Sequence, residues 1–133
     1  MMTDKKSIVA VDDSGIILKM LEKLLGEEYE YTGFSKGLRA LRYLKEARTP
    51  DLIILDIEMP EIDGYEMLNM IRKKEELKET PVLFLTSNKD KENVVKAIKS
   101  GVNDYIVKPV DETVFMDKVR KLLKEEKYSW DHL

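Results

Sequence analysis

Four continuous apolar runs, each ending in a different reactive residue, constrain this chain more than any other feature. Ile8-Val9-Ala10-Val11 runs into Asp12-Asp13, and Leu52-Ile53-Ile54-Leu55 runs into Asp56. Val82-Leu83-Phe84-Leu85 leads to Thr86-Ser87, and Tyr105-Ile106-Val107 to Lys108-Pro109. Runs of this length without polar alternation suit strands buried on both faces, as in a parallel sheet. The carboxyl ends of parallel strands share one edge, where open α/β sheets bind their ligands. Three Asp, a hydroxyl and a Lys then converge, a set suited to a divalent cation and a phosphoryl group.

Between these runs lie helical patterns. Ile17, Met20, Leu21 and Leu24 form an apolar stripe before a stop at Gly26. Tyr29-Glu30-Tyr31-Thr32-Gly33 alternates, as a half-exposed edge strand does. Ser35 is expected to cap a second helix with Leu38, Leu41 and Leu44 inward. Asp63 and Glu66 form a capping-box pattern opening a third, with Leu68 and Ile71 inward. Asp90 is expected to cap a fourth, with Val94, Val95 and Ile98 inward and a stop at Gly101. Asp111 is expected to cap a fifth, with Phe115, Val119, Leu122 and Leu123 inward. Five βα units in strict alternation predict right-handed crossovers and a parallel sheet with helices on both faces, its second strand at an edge.

Composition removes several functions. The 133 residues fit one domain, and no stretch approaches the length of a membrane span. No apolar region follows Lys5-Lys6, so no signal peptide is expected, and with no Cys the expected location is the cytoplasm. The only His is His132, which leaves a Ser/His or Cys/His pair without a base and excludes a His/Cys zinc site. A net charge of -3 with mixed signs argues against nucleic-acid binding.

Five segments in order carry a resemblance to a known family. They are Val11-Asp12-Asp13, Asp56-Ile57-Glu58-Met59-Pro60-Glu61-Ile62-Asp63-Gly64, Thr86-Ser87, Gly101-Val102-Asn103-Asp104-Tyr105, and Lys108-Pro109. Together they resemble the receiver domain of bacterial response regulators, especially its single-domain, chemotaxis-type members. The receiver is expected over 6–126, with a C-terminal tail at 127–133. Ile62 stands where Met is usual, and Gly15 opens the first helix where a larger residue is common. The resemblance implies a flavodoxin-like, doubly wound (βα)5 three-layer sandwich with strand order 2-1-3-4-5.

The same resemblance supplies roles. Asp56 becomes the phosphoacceptor, attacking a phosphohistidine of a histidine kinase or a histidine phosphotransfer protein. Two like charges ~4 Å apart repel by about 4 kcal/mol at an effective dielectric near 20, so the acid cluster calls for a cation. Mg²⁺, with Mn²⁺ as a substitute, suits carboxylates plus a phosphate oxygen. Family likeness makes Asp13, Asp56 and the Glu58 backbone carbonyl direct ligands, and Asp12 a partner through water. Helix capping is the commoner role for an Asp-Asp pair, and one of the two could serve both. Lys108 pairs with the acids and then the phosphoryl group, Thr86 hydrogen-bonds it, and Tyr105 turns inward as the switch. Glu58 and Asn88 flank the attacking water and tune lifetime. Lys108-Pro109 is expected to be a cis peptide.

A kinase or phosphotransfer helix is expected to dock near Ile16 and Leu18, which flank the first helix's stripe. Output is expected as protein contact through the fourth helix, fifth strand and fifth helix. The target is a motor-like or scaffold protein, a relay phosphotransfer protein, or a second copy forming a homodimer. Lys118, Arg120, Lys121, Lys124 and Lys127 of the last helix read as a solvated face, and Trp130 as part of a frayed terminus. The chain acts only on its own phosphorylation and so is not expected to be an enzyme. Two alternatives compete with this reading, and the residues disfavour both. A haloacid-dehalogenase-type phosphatase needs Asp at position 58, where Glu stands. A degenerate, non-phosphorylated interaction module loses part of the Asp12, Asp13, Asp56 and Lys108 set, which this chain keeps.

Overall fold

A computed structural model describes residues 5–125. The tail expected at 127–133, with Trp130, lies outside the described residues. Ten elements alternate: β1 (Ser7–Val11), α1 (Gly15–Leu25), β2 (Glu30–Phe34), α2 (Gly37–Glu46), β3 (Leu52–Asp56), α3 (Gly64–Lys73), β4 (Val82–Thr86), α4 (Lys91–Lys99), β5 (Asp104–Val107) and α5 (Glu112–Leu122). The five strands are parallel, in the order β2-β1-β3-β4-β5.

Alternate residues of each strand build two cores. Val9, Val11, Ile53, Leu55 and Phe84 face α2, α3 and α4, against Ala40, Leu44, Met67, Ile71 and Ala97. Ile8, Ala10, Ile54, Leu83 and Leu85 face α1 and α5, against Leu21, Leu25, Phe115 and Val119. Every residue of β3 and β4 is buried, whereas β2 at the edge is only partly covered. Two-sided burial explains the unbroken apolar runs of β1, β3 and β4, and a half-covered edge explains the alternation of β2. The apolar run of β5, expected to be covered on both faces, instead lies at the other edge and buries only Ile106.

Helix ends follow local chemistry only in part. The Asp63–Glu66 capping box forms in full, and Asp111 accepts from the Val114 N–H at 3.0 Å. Gly101 has φ +85°, a left-handed position glycine adopts at little cost. Gly26 instead stays right-handed at φ -66°. Ser35 does not cap α2: Lys36 holds the cap position without a side-chain bond, and Asp90 likewise makes none at α4.

Two helices present a different face from the one expected. In α2, Gly37, Ala40 and Leu44 turn inward and Leu38 is exposed. Gly37 packs so closely that an added Cβ would stand 2.6 Å from Ile62 Cγ2, which brings the start of α2 against the β3–α3 loop. In α4, Ala97 meets the sheet while Val95 and Ile98 are exposed. The Val94–Ala97 ridge faces inward, about one residue's rotation from the Val95–Ile98 ridge. Leu25 is buried on α1, and Leu24 is only partly covered. Tyr29 precedes β2 and is buried, its hydroxyl donating to Glu125 Oε1 at 2.7 Å.

Candidate functional site

The carboxyl ends of β1, β3, β4 and β5 carry Asp12-Asp13, Asp56, Thr86 and Lys108 to one edge. Register fixes their spacing. Val11 pairs with Leu55, Asp56 with Leu85, and Thr86 with Val107. Two backbone bonds extend the frame past the strands: Ile57 N–H donates to Leu85 at 2.9 Å, and Lys108 N–H to Thr86 at 2.8 Å.

Asp12 and Asp56 are almost wholly buried, whereas Asp13 is exposed at the rim. One carboxylate oxygen from each of the three lies within 4.8 Å of the others. Asp12 Oδ1 accepts the Ser14 N–H at 2.9 Å, which braces the turn into α1. The helix cap itself is Ser14, whose hydroxyl oxygen accepts from Ile17 N–H at 3.3 Å. Capping thus leaves Asp13 and Asp12 Oδ2 facing the site.

Lys108 reaches into this cluster. Its Nζ lies 2.9 Å from Asp12 Oδ2 and 3.5 Å from Asp56 Oδ1. The approach to Asp12 Oδ2 is an ion pair without hydrogen-bond alignment, so that buried oxygen accepts no hydrogen bond. Burial tends to lower the Lys108 pKa, but the close contact with the Asp12 carboxylate and the charges of Asp56 and Asp12 outweigh it and raise it. The peptide joining Lys108 to Pro109 is cis.

One lysine does not neutralise three acids. Burial, then the Asp12 charge, pushes the Asp56 carboxyl up to about 7, with Lys108 opposing and Asp13 adding to the rise. A hard cation would relieve this strain, since it favours the charged form of every ligand. Three carboxylate oxygens in reach of one another fit such an ion, and Asp12 also has an oxygen, Oδ2, buried without a hydrogen bond.

Thr86 is buried with its hydroxyl engaged. Oγ1 donates to Glu58, at 2.9 Å from Oε1 and 3.1 Å from Oε2, and accepts from the Asn88 N–H at 3.0 Å. The Ser87 N–H donates to Glu58 Oε1 at 3.1 Å. Asn88 Oδ1 accepts from Asp90 N–H at 3.0 Å, so its side chain braces the loop into α4. Tyr105 is half-buried on β5 beside Phe84, its pairing partner on β4. The Glu58–Thr86 bond has no sequence signature, because the two residues stand 28 positions apart.

Two other features escape sequence reading. Gly64 opens α3 against the end of β3, where an added Cβ would stand 2.8 Å from the Asp56 carbonyl oxygen and from Ile57 Cα. Its place beside Asp63 in the motif was the available signal. Lys118 is not solvated: it is half-buried and donates to both Asp104 carboxylate oxygens at 2.9 Å, tying α5 to β5. Ile16 stands out at 83% exposure beside the site, while Leu18 is half-buried against the α1 core.

Comparisons with known proteins agree with this architecture. The family model for the response regulator receiver domain matches residues 8–120. The chain is 35% identical to the transcriptional regulatory protein AfsQ1 of Streptomyces coelicolor over 89% of its own length and 51% of that protein's. It is 33% identical to the two-component response regulator ARR12 of Arabidopsis thaliana, over 95% of this chain and 19% of the relative. It thus spans about half, or less, of these curated relatives. Among solved structures, it resembles the signal receiver domain of a histidine kinase from Syntrophus aciditrophicus with 34% identity and a TM-score of 0.82, covering 93% of this chain and 94% of that one. The chemotaxis protein CheY4 of Vibrio cholerae gives 29% identity and a TM-score of 0.82, over 90% of this chain and 99% of that one. With the sheet order, the acid cluster and a family match over most of its length, the chain belongs to the response regulator receiver domain family.

Proposed function

We propose that this chain is a phosphorylatable switch that takes a phosphoryl group onto Asp56 from a phosphohistidine donor, either a histidine kinase or a histidine phosphotransfer protein. The observation that carries this reading is the buried Asp56 at the end of β3, 3.5 Å from Lys108 and clustered with Asp12 and Asp13. An Asp56 carboxylate oxygen forms the new bond to phosphorus. The donor's phosphorus–nitrogen bond breaks, and the leaving imidazole keeps the electron pair and ends as a protonated ring nitrogen. Phosphoryl transfer passes through a loose transition state, so placing and neutralising charge are most of the task.

Asp13, Asp56 and the Glu58 backbone carbonyl would hold Mg²⁺ or Mn²⁺, with Asp12 bound through water. Such an ion, when bound, supplies charge neutralisation for the acids and the phosphoryl oxygens. Lys108 exchanges a carboxylate for a phosphoryl oxygen, and Thr86 donates its hydroxyl proton to another. Glu58 and Asn88 set the lifetime by controlling water at the phosphorus. Hydrolysis returns Asp56 and inorganic phosphate, so the chain turns over only its own phosphoryl group. It works in the cytoplasm, as a receiver unit over 6–126.

Output leaves through α4, β5 and α5, with Thr86 and Tyr105 as the coupled pair and a protein, including a second copy of this chain, as target. A shift between pre-existing states limits the gain in partner affinity to the differential stabilisation of the active one. Intact-mass measurement after incubation with acetyl phosphate and Mg²⁺ tests the phosphoacceptor. The parent chain should gain one phosphoryl group and Asp56→Asn none; an equal gain in Asp56→Asn overturns the assignment. Amide exchange with beryllofluoride locates the output face, where changes between about residues 86 and 125 are expected.

A further inference from the structure

The hydroxyl that a phosphoryl group would need is already committed. Thr86 has one hydroxyl proton, and it points to Glu58. Its oxygen is also occupied, by the Asn88 N–H. Phosphoryl oxygens only accept, so they require the proton that Glu58 now receives. Both competitors are anions, and one proton cannot serve them together at short range.

The burial of the pair is asymmetric. Thr86 is 5% exposed and cannot leave the site, whereas Glu58 is exposed and can swing into water. Ser87 N–H gives the Glu58 carboxylate a second anchor while it holds Thr86. A retained hydroxyl, a removable acceptor and a backbone anchor are what a releasable catch requires.

We propose that Glu58 is a latch that holds the Thr86 hydroxyl in the resting state and must release it before a phosphoryl group can be bound. The role rests on the phosphoacceptor reading of Asp56. Glu58 acts here through Thr86 as a positioning residue, which differs from steering water at the phosphorus. Its cost falls on entry into the active state, not on hydrolysis.

The test compares the parent with Glu58→Ala, Glu58→Gln, Thr86→Val and the Glu58→Ala/Thr86→Val pair, all at saturating Mg²⁺. Beryllium chloride in excess fluoride is titrated by calorimetry, and the Thr86 methyl resonance is followed without beryllium. Glu58→Ala should bind beryllofluoride roughly tenfold more tightly, the scale of one hydrogen bond to a charged group. Glu58→Gln should fall between, because its amide oxygen still accepts but carries no charge. In the Thr86→Val background most of the gain should vanish. The Thr86 methyl should move in Glu58→Ala toward its beryllofluoride-bound position. Equal gains with and without the Thr86 hydroxyl, or an unmoved methyl resonance, overturn the latch. A parent chain that binds no beryllofluoride overturns the phosphoacceptor reading instead, and the methyl resonance still decides whether Glu58 holds Thr86.

Discussion

Lys108 stands closer to Asp12 than to Asp56: its Nζ is 2.9 Å from Asp12 Oδ2 and 3.5 Å from Asp56 Oδ1. The ammonium therefore neutralises a fully buried carboxylate first and leaves Asp56 partly uncompensated. That difference has consequences for stability, pH response and metal binding.

Removing the lysine should expose the burial cost of Asp12. Lys108→Met is expected to destabilise the metal-free protein by about 3 kcal/mol, since breaking a buried ion pair strands one charge. Saturating Mg²⁺ should restore part of the loss. Urea denaturation with and without the ion measures both, and a loss below about 0.5 kcal/mol, the size of an ordinary surface change, would refute the pairing role.

Stability should depend on pH through Asp56. Its carboxyl moves from an ordinary 3.8 to about 7 on folding, so between those values the folded state binds more protons than the unfolded one. Stability is therefore full below about pH 4 for this group and falls as pH rises through about 7. About three pH units at 1.36 kcal/mol each set an upper bound on the order of 4 kcal/mol. Thermal or urea unfolding of the metal-free chain should show this decline, and Asp56→Asn should flatten it. A parent and an Asp56→Asn variant with the same slope would contradict the assignment.

Asp13 carries little of the fold. It is exposed, whereas Asp12 and Asp56 are buried. Asp13→Ala should keep the unfolding midpoint near that of the parent while lowering Mg²⁺ affinity at least roughly tenfold, the loss that outer-shell changes alone can produce. Calorimetric titration that returns the parent affinity would remove Asp13 from the ligand set.

Gly64 should tolerate no side chain. A Cβ there would meet the Asp56 carbonyl oxygen and Ile57 Cα at 2.8 Å, both backbone atoms that cannot swing aside. Gly64→Ala is expected to cost about 1–3 kcal/mol, as overpacking does. It should also weaken Mg²⁺ binding, because the displaced loop carries Glu58. Denaturation and metal titration of the same variant check both effects, and parent values in either would limit the role of this contact.

Much of the scaffold was legible in the residues themselves. Unbroken apolar runs mark strands covered on both faces, and strict alternation with helical patterns leaves few topologies. Parallel strands then force Asp12, Asp56, Thr86 and Lys108 to one edge without any knowledge of side-chain positions. The Asp63–Glu66 and Asp111 caps also follow from bonds spanning only three residues. Local periodicity was weaker for α2 and α4, where two adjacent ridges are apolar and packing chose Ala40 and Ala97 over Leu38 and Ile98. What only the tertiary structure decided are the pairings across loops: Lys108 with Asp12, Glu58 with Thr86, and Lys118 with Asp104. Glu58 and Thr86 lie on different βα units, and their contact depends on the path of two loops. Sequence periodicity reports which face of an element is covered; the direction of a polar side chain beyond the strand end is set by long-range backbone geometry and by competition for a single proton.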